Sequence, residues 1–514
     1  MRHDVAIIGA GPGGLAAAML LSAAGADVTI HERLDHVGGR SATFEARSEA
    51  GMFRFDRGPT FFLYPRVLEE IFAACGRDLR KAVDLVRLDP LYRLVFEGGG
   101  SIDAASGEAA LAEAIRRISP ADADAIPRYM AENRAKLNAF GPVLEAPFSS
   151  VRDFMRPHTR RALPLMRPGR TVEHDLARHF RDPRVRLAFS FQSKYLGMSP
   201  FRCPSLFTIL AFMEHEYGVW HPRGGCGAVM EAMAEAARQS GARLFLSDPV
   251  QEVLFEGRRA VGVRTKAGVR RTDAVVINAD FAHAMRHLVP DRLRRRWSDR
   301  RIARKKFSCS TFMLYLGIEG RFDAVPHHTI HLARDYRRNL AEIEAGLFPP
   351  AEPSFYVQNA CVTDPGLAPE GHSTLYVLVP VGNRREGGID WDREAPRYRR
   401  LVLDRLARIG ITDVERRIRY EKILTPNGWE GDFAIHRGAT FNLAHTLGQM
   451  LHRRPRNRFE DLDGMYLVGG GTHPGSGLPV IFAGARITAQ LLAEDLGLRL
   501  PSGLRRPAML ETVP

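Results

Sequence analysis

Residues 3–33 read HDVAIIGAGPGGLAAAMLLSAAGADVTIHER, and the reading of this stretch decides the fold. Residues 5–8 form an apolar run of the kind that makes a strand buried on both faces. Gly9, Gly11 and Gly14 follow as G-x-G-x-x-G. In that pattern the first glycine makes the tight turn out of the strand. The second lets the backbone approach a pyrophosphate, and the third lets the next helix pack closely. Pro12 suits a first helical turn, where its missing N–H costs nothing. Residues 15–24 are rich in Ala, Leu and Met, and Gly25 is a natural stop. Residues 28–30 predict a second strand. It delivers Glu32 at about the twenty-residue spacing expected of an acid that meets a ribose hydroxyl. A pyrophosphate on this unit sits at the positive end of the helix dipole. An acid at that position favours adenosine with a free 2′-hydroxyl and disfavours NADP, which leaves NAD and FAD. A glycine-rich turn in an ordinary strand–helix unit accounts for the glycines, but not for strand, helix, stop and acid together.

At 514 residues the chain is too long for one simple core, and two or three domains are expected. No apolar run reaches transmembrane length, and the first residues enter a strand without a charged leader; both predict a cytoplasmic location. Cys75, Cys203, Cys226, Cys309 and Cys361 are scattered, with no C-x-x-C and no histidine cluster. That pattern predicts neither disulfides nor a metal. The net charge of +14 admits nucleic acid, an anionic membrane face or simply heavy use of arginine. The basic runs 291–306 and 452–458 lack recurring aromatics to stack bases, so they read as solvated faces and no nucleic acid is expected.

The choice between NAD and FAD turns on later segments. Gly38, Gly39 and Arg40 in ERLDHVGGRSATFE let the backbone pass phosphates while Arg40 offers them a forked donor. Arg33 follows the ribose acid directly. Gly58, Pro59 and Thr60 close the strand-like FRFDRGPT, an added contact that suits a long flavin and that an NAD enzyme does not need. Residues 273–280, DAVVINAD, read as another buried strand, and Val250 lies in the meander before it. Near the other end, 465–468 reads as a strand, followed by Gly469, Gly470 and Gly471 and a helix from about Pro479 and Val480. The positive end of that helix aims at the flavin pyrimidine and stabilises reduced flavin.

With these pieces in view, the chain resembles the bacterial carotenoid (phytoene) desaturases of the flavin amine-oxidase-like superfamily over nearly its whole length. The matching segments include HPRGGCGAVMEAMA, VVINAD, DPGLAPEG, LTPNGWEGDF, HRGATFNLAH and YLVGGGTHPGSGLPV. The first glycine motifs are shared by many flavoproteins; DPGLAPEG and the Thr472–Gly475 ending are far more specific. Cys226 after the double glycine and SGLPVIFAGARI depart from the commoner pattern, leaving C40 phytoene and C30 dehydrosqualene or squalene open.

The resemblance implies an α/β (α+β) fold: a Rossmann-type FAD-binding domain, an inserted substrate-binding domain and a helical membrane-contacting region. The cofactor domain is expected to be discontinuous, from 1–75, 225–300 and 455–500. Residues 76–224 are then a helical membrane and substrate-access region, 301–454 the substrate-binding domain and 501–514 a tail. It implies non-covalent FAD, a hydride passed to the flavin from a lipophilic polyene, and a proton lost from the neighbouring carbon. The electron acceptor, O2 or quinone, and the oligomeric state stay open. An uncharged substrate calls for an apolar tunnel, and 205–213, SLFTILAFM, is a run that can line it, although such runs are more often core. The acid–base candidates are His473, placed near the flavin by its glycine turn, and Glu214 and His215, with Glu216 and His221, beside the apolar run. Residues 151–170 interleave six arginines with Phe154, Met155, Leu163, Leu165 and Met166, as a peripheral contact with an anionic membrane requires. Its prolines predict short, broken helices. Three other readings remain: an amine or protoporphyrinogen oxidase, a carotenoid isomerase, and a non-catalytic prenyl-group carrier. The first needs an aromatic cage that the C-terminal turn does not supply, and the last predicts damaged glycine motifs.

Overall fold

The strand Asp4–Ile8 is the middle strand of a five-stranded, all-parallel sheet. Its order is Arg243–Phe245, Asp27–His31, Asp4–Ile8, Ala274–Ile277, Met465–Leu467. The chain is described here by a computed structural model that covers residues 3–167, 169–348 and 352–502. The strands of this sheet thus come from three stretches far apart in the chain. A parallel sheet is stable only when both faces are covered, and the residue alternation shows how. Val5, Ile7, Val28 and Ile30 pack into the core shared with the helix Pro12–Ala23. Ala6, Ile8, Val275 and Ile277 point the other way, toward the antiparallel meander Glu252–Glu256, Arg259–Thr265, Gly268–Arg271. Against the first face the helix Pro12–Ala23 packs between Cys226–Gln239 and Leu478–Leu496.

A second sheet has seven strands, in the order Ile418–Leu424, Ser310–Glu319, His372–Val381, Phe355–Asn359, His328–Leu332, Tyr92–Phe96, Ser101–Ala104. Only His328–Leu332 and Tyr92–Phe96 pair in parallel. Period-two alternation again divides the work. Phe312, Leu314, Leu316 and Ile318 pack, with Leu375, Val377 and Val379, beneath the helix Trp391–Leu406. Met313, Tyr315 and Tyr376 face the hairpin Thr43–Ser48, Gly51–Asp56. Gly317 lies on that second face with the Phe53 ring over it: a β-carbon there stands 2.8 Å from the ring.

Residues 76–224 are not wholly helical. Leu85–Arg87 and Val219–Pro222 pair in a small sheet with Phe62–Leu63, and Tyr92–Phe96 and Ser101–Ala104 extend the seven-stranded sheet at its edge. The buried, part-buried alternation of Tyr92–Phe96 is the strand signature. The longest helix of this region is Ile126–Leu144. Beside it, 151–170 forms two short helices, Val151–Met155 and Pro157–Met166; Pro168 and the tail from 503 lie outside the described residues. Among the described residues no helix is long and apolar enough to cross a membrane.

Candidate functional site

A cavity of about 490 Å³ begins where the strand Asp4–Ile8 ends and runs across to the seven-stranded sheet. At its start, Gly9 adopts φ +98°, a left-handed conformation open to glycine. Its N–H donates to the His31 carbonyl at 2.8 Å, and its own carbonyl accepts from Asn278 Nδ2 at 3.1 Å. Gly11 lines the cavity, and the helix it opens has no side-chain cap. The first N–H groups of that helix are therefore left for an anion. Gly14 lies outside the lining, and its reason is packing: a β-carbon there stands 2.2 Å from the Gly9 carbonyl oxygen. Asn278, which braces this turn, escaped the sequence reading although its strand was recognised.

Glu32 is buried and lines the cavity, yet both of its carboxylate oxygens are occupied from within the chain. Oε2 accepts the Ala10 N–H at 2.7 Å and Oε1 the Leu34 N–H at 2.9 Å. Its acid thus shapes the glycine turn as well as lining the cavity. Arg33 also lines the cavity and donates to the Asp432 carbonyl, while Arg40 donates to that of Thr440. Arg40 sits beside Asp280; burial pushes its guanidinium below the usual arginine range, and the aspartate opposes the shift.

The middle of the cavity is framed by backbone. Gly39, Gly58, Pro59 and Thr60 line it, as do Val250, Gly470 and Pro479. A β-carbon on Gly58 meets the Arg40 carbonyl at 2.7 Å, so this passage is a cradle that only glycine leaves open. Gly471 and Val480 lie behind the wall; at Gly471 a β-carbon meets Asn442 and Phe281, each at 2.6 Å. The helix Leu478–Leu496 opens at Gly477 without a side-chain cap and presents Leu478, Pro479 and Ile481 to the cavity. Its positive end is available to negative charge.

The basic run 452–458 is not uniformly solvated. Arg454 is fully buried, its Nη2 donating to the Gly470 carbonyl at 2.6 Å and its Nε to that of Thr472 at 3.2 Å. Asn457, also buried, donates to the His473 carbonyl at 3.0 Å. The turn 469–473 leaves carbonyls with no strand partner, and these side chains supply their donors. In the run 291–306, Arg294 is likewise buried, donating to the Trp297 carbonyl at 2.6 Å and pairing with Asp299.

His473 lies outside the cavity lining. Its Nε2 bonds the Ala146 carbonyl at 3.0 Å, and burial lowers its pKa to about 4. His215 is similarly tied to the Ala105 carbonyl at 2.9 Å, Glu216 pairs with Arg134, and His221 with Asp364. Glu214 is buried one layer behind the wall. Tyr92 and Gln192 donate to its Oε2 at 3.1 and 3.0 Å, and Tyr195, which does line the cavity, approaches the same carboxyl. Burial raises Glu214 to about 7. None of residues 205–213 touches the cavity; Leu206, Ile209, Ala211 and Phe212 are core. An apolar run by itself does not say which apolar surface it covers.

The far half of the cavity is built by the seven-stranded sheet and one helix. Ile330 and Leu332 share a strand face with His328, and Tyr376, Leu378 and Pro380 share another. The helix Tyr336–Ala345 lays Tyr336, Asn339, Leu340 and Ile343 over them, one face at helical spacing. Where the two halves meet, Thr60 Oγ1 and Tyr356 OH lie 2.8 Å apart, and Tyr356 OH is 2.7 Å from His328 Nδ1. Phe61 stacks on the His328 ring with centroids 4.0 Å apart. Burial holds the tyrosine far above its ordinary pKa and the histidine far below its own, so both are neutral. Of this polar chain the sequence reading reaches only Thr60; Tyr356, His328 and the cavity aromatics Tyr376, Trp429 and Phe433 come from segments it did not join to the site. The signal present was the quoted motif LTPNGWEGDF, which holds two of them.

Comparison with known proteins bears on this geometry. A family model described as flavin containing amine oxidoreductase matches residues 12–496. A 4,4′-diapophytoene desaturase (4,4′-diapolycopene-forming) of Methylomonas sp is 42% identical over 97% of this chain and 96% of its own length. An all-trans-zeta-carotene desaturase of Myxococcus xanthus is 38% identical over 97% and 94%. Among solved structures, putrescine oxidase bound to putrescine superposes with a TM-score of 0.60 at 16% identity, covering 97% and 99% of the two chains. At that identity the likeness concerns the fold.

Proposed function

The chain belongs to the carotenoid desaturases of the flavin containing amine oxidoreductase family, and from that premise we propose that it desaturates a linear polyisoprenoid, a C30 chain such as dehydrosqualene or squalene, or C40 phytoene. It is an FAD-dependent oxidoreductase. The observation that carries the substrate reading is the continuity of one cavity. Its first half is glycine backbone with two uncapped helix N-termini, and its second is walled by Ile330, Leu332, Leu340, Ile343 and Leu378.

In this reading Gly9, Gly11 and the first turn of Pro12–Ala23 hold the pyrophosphate, and Glu32 the ribose. Arg33, Gly39 and Arg40 flank the phosphates. Gly58, Pro59, Thr60, Val250, Gly470 and Pro479 hold the flavin portion, whose cofactor unit comprises 1–75, 225–300 and 455–500. The five-stranded sheet, with strands drawn from all three stretches, supports that assignment. Bound FAD supplies the hydride acceptor. The apolar wall excludes water and aligns the chain across Thr60 and Tyr356. Hydride loss leaves an allylic cation whose neighbouring C–H is strongly acidic, so a weak neutral base suffices. Tyr356 OH passes the proton to His328 Nδ1, placing the acid–base work on this pair rather than on His473 or His215. The amine-oxidase alternative lacks a counter-ion: among the described residues the only acids on the cavity are Glu32 and Asp280, both at the dinucleotide end.

The test is product formation from C30 and C40 substrates in liposomes, with Tyr356→Phe and His328→Gln compared with the parent. Both variants should retain FAD and lose about 10²-fold or more in kcat. Unaltered kcat in both contradicts the proton assignment, and no desaturated product from either chain contradicts the function.

A further inference from the structure

Two of the motifs quoted above meet behind the pair Tyr356 and His328. HPRGGCG begins at His221 and DPGLAPEG at Asp364, and His221 Nε2 lies 3.2 Å from Asp364 Oδ2. The His221 side chain is fully buried, whereas that of Asp364 is 11% exposed and so reaches solvent. His327 lies against both His221 and His328, with ring centroids 4.6 Å and 4.5 Å away. It has no nitrogen to spare. Its Nδ1 is bonded to Thr363 Oγ1 at 2.8 Å and its Nε2 to Gln358 Nε2 at 3.2 Å. An amide nitrogen only donates, so Nε2 accepts there and Nδ1 holds the proton. Its two neighbours each keep one nitrogen free: among the described residues, His328 Nε2 and His221 Nδ1 are buried without a partner. The two are opposite in kind. With Nδ1 accepting from Tyr356 OH, neutral His328 carries its proton on Nε2. With Nε2 donating to the Asp364 carboxylate, neutral His221 offers a lone pair on Nδ1.

We propose that these groups carry the reaction's proton out of the cavity: from Tyr356 to His328, from His328 Nε2 through a bridging water to His221 Nδ1, and from His221 Nε2 by way of Asp364 to solvent. The inference rests on the desaturase reading and deepens it, since it says where the proton taken up by His328 goes. In each cycle the substrate gives a hydride to FAD, the electron pair of the neighbouring C–H bond becomes the new π bond, and its proton reaches water. The two rings regain their first tautomers before the next turnover. A proton left inside would sit among imidazoles that resist it: burial holds His327 and His328 far below the ordinary histidine pKa, and their imidazole neighbours lower them further. Asp364 can take the charge to the surface. Burial opposes its ionisation, but the His221 hydrogen bond, the Gly224 N–H at 2.7 Å and nearby Arg223 keep its carboxyl below the usual range. Asp56, the other acid near His221, is buried, and burial raises its pKa, so it offers no exit.

The experiment mixes the FAD-loaded enzyme anaerobically with a C30 polyene in weakly buffered liposomes carrying a pH-indicator dye, and compares the parent with Asp364→Asn and His221→Gln. In the parent, one proton should reach solvent in step with each flavin reduced. In both variants the first flavin reduction should keep the parent's rate while proton release lags, and steady turnover in air should fall at least about tenfold. Release in step with reduction in both variants overturns the relay, and so does a first reduction slowed as much as turnover. If His221→Gln loses its flavin through misfolding, Asp364→Asn decides alone. A readout without turnover is 15N NMR of the histidine rings in the flavin-loaded enzyme: His328 and His221 should each be protonated at Nε2, and either one protonated at Nδ1 overturns the relay. A parent whose flavin neither a C30 nor a C40 polyene reduces contradicts the desaturase reading itself and the relay with it, a result distinct from those that strike the relay alone.

Discussion

At Glu32 the carboxylate accepts two backbone N–H groups, one from Ala10 in the glycine turn and one from Leu34. Each buried donor left unsatisfied costs about 1–3 kcal/mol. Glu32→Ala is therefore expected to lower Tm as well as FAD retention, with Glu32→Gln recovering part of both because one acceptor survives. FAD loss without a Tm change in Glu32→Ala contradicts the bracing role. Glu214 makes a different prediction. Burial raises its pKa from the ordinary 4.5 to about 7, so the folded chain binds the proton more tightly than the unfolded one. Its contribution is complete below about pH 4.5 and is lost as pH rises through 7. In Glu214→Gln the amide oxygen keeps the hydrogen bonds from Tyr92 and Gln192, and the amide N–H groups face the space where Oε1 has no partner. Thermal melts at pH 5 and pH 8.5 should show the variant gaining on the parent at the higher pH. Parallel melts at both pH values contradict the assignment.

Among elements, the hairpin ending at Asp56 hands the chain to Gly58–Thr60, and its position is set by Phe53 seated over Gly317. Gly317→Val fills the place of that ring, and overpacking of this kind costs about 1–3 kcal/mol. We expect a lower Tm and faster FAD release, partly restored by pairing Gly317→Ala with Phe53→Leu; unchanged FAD release contradicts the coupling. The segment 151–170 carries the membrane proposal. Val151 is 66% and Met155 68% exposed, beside exposed Arg152, Arg160 and Arg161, whereas Arg156 is held by Asp153. Changing Arg152, Arg160 and Arg161 to Glu should reduce co-sedimentation with anionic vesicles with FAD content unchanged. Equal sedimentation assigns the membrane contact elsewhere. The dinucleotide element was legible because its signal is local: strand, glycines, helix and acid follow one another within 3–33. For the run 205–213 the sequence left tunnel and core both open, because hydrophobicity is the same for a helix packed in a core and a wall around a ligand; the structure places it in the core.

Across the whole molecule, the site is where two sheets from distant stretches meet, and that juncture is what one sequence read alone does not reveal. Thr60, His328 and Tyr356 belong to three strands or turns joined only by sheet register, and Arg454 reaches the turn 469–473 from a run that composition marks as surface. The fold class is legible because period and motif suffice for it; of the polar chain only Thr60 is, since nothing local ties it to His328 and Tyr356. We propose that one continuous cavity brings a polyisoprenoid to FAD for dehydrogenation. Its most direct test is anaerobic mixing of the FAD-loaded enzyme with C30 and C40 polyenes in liposomes, following flavin absorbance and polyene spectra together. Flavin bleaching and the red shift of a lengthened chromophore should rise together, one double bond for each flavin reduced. Bleaching without a longer chromophore, or an isomerised polyene with the flavin still oxidised, contradicts it.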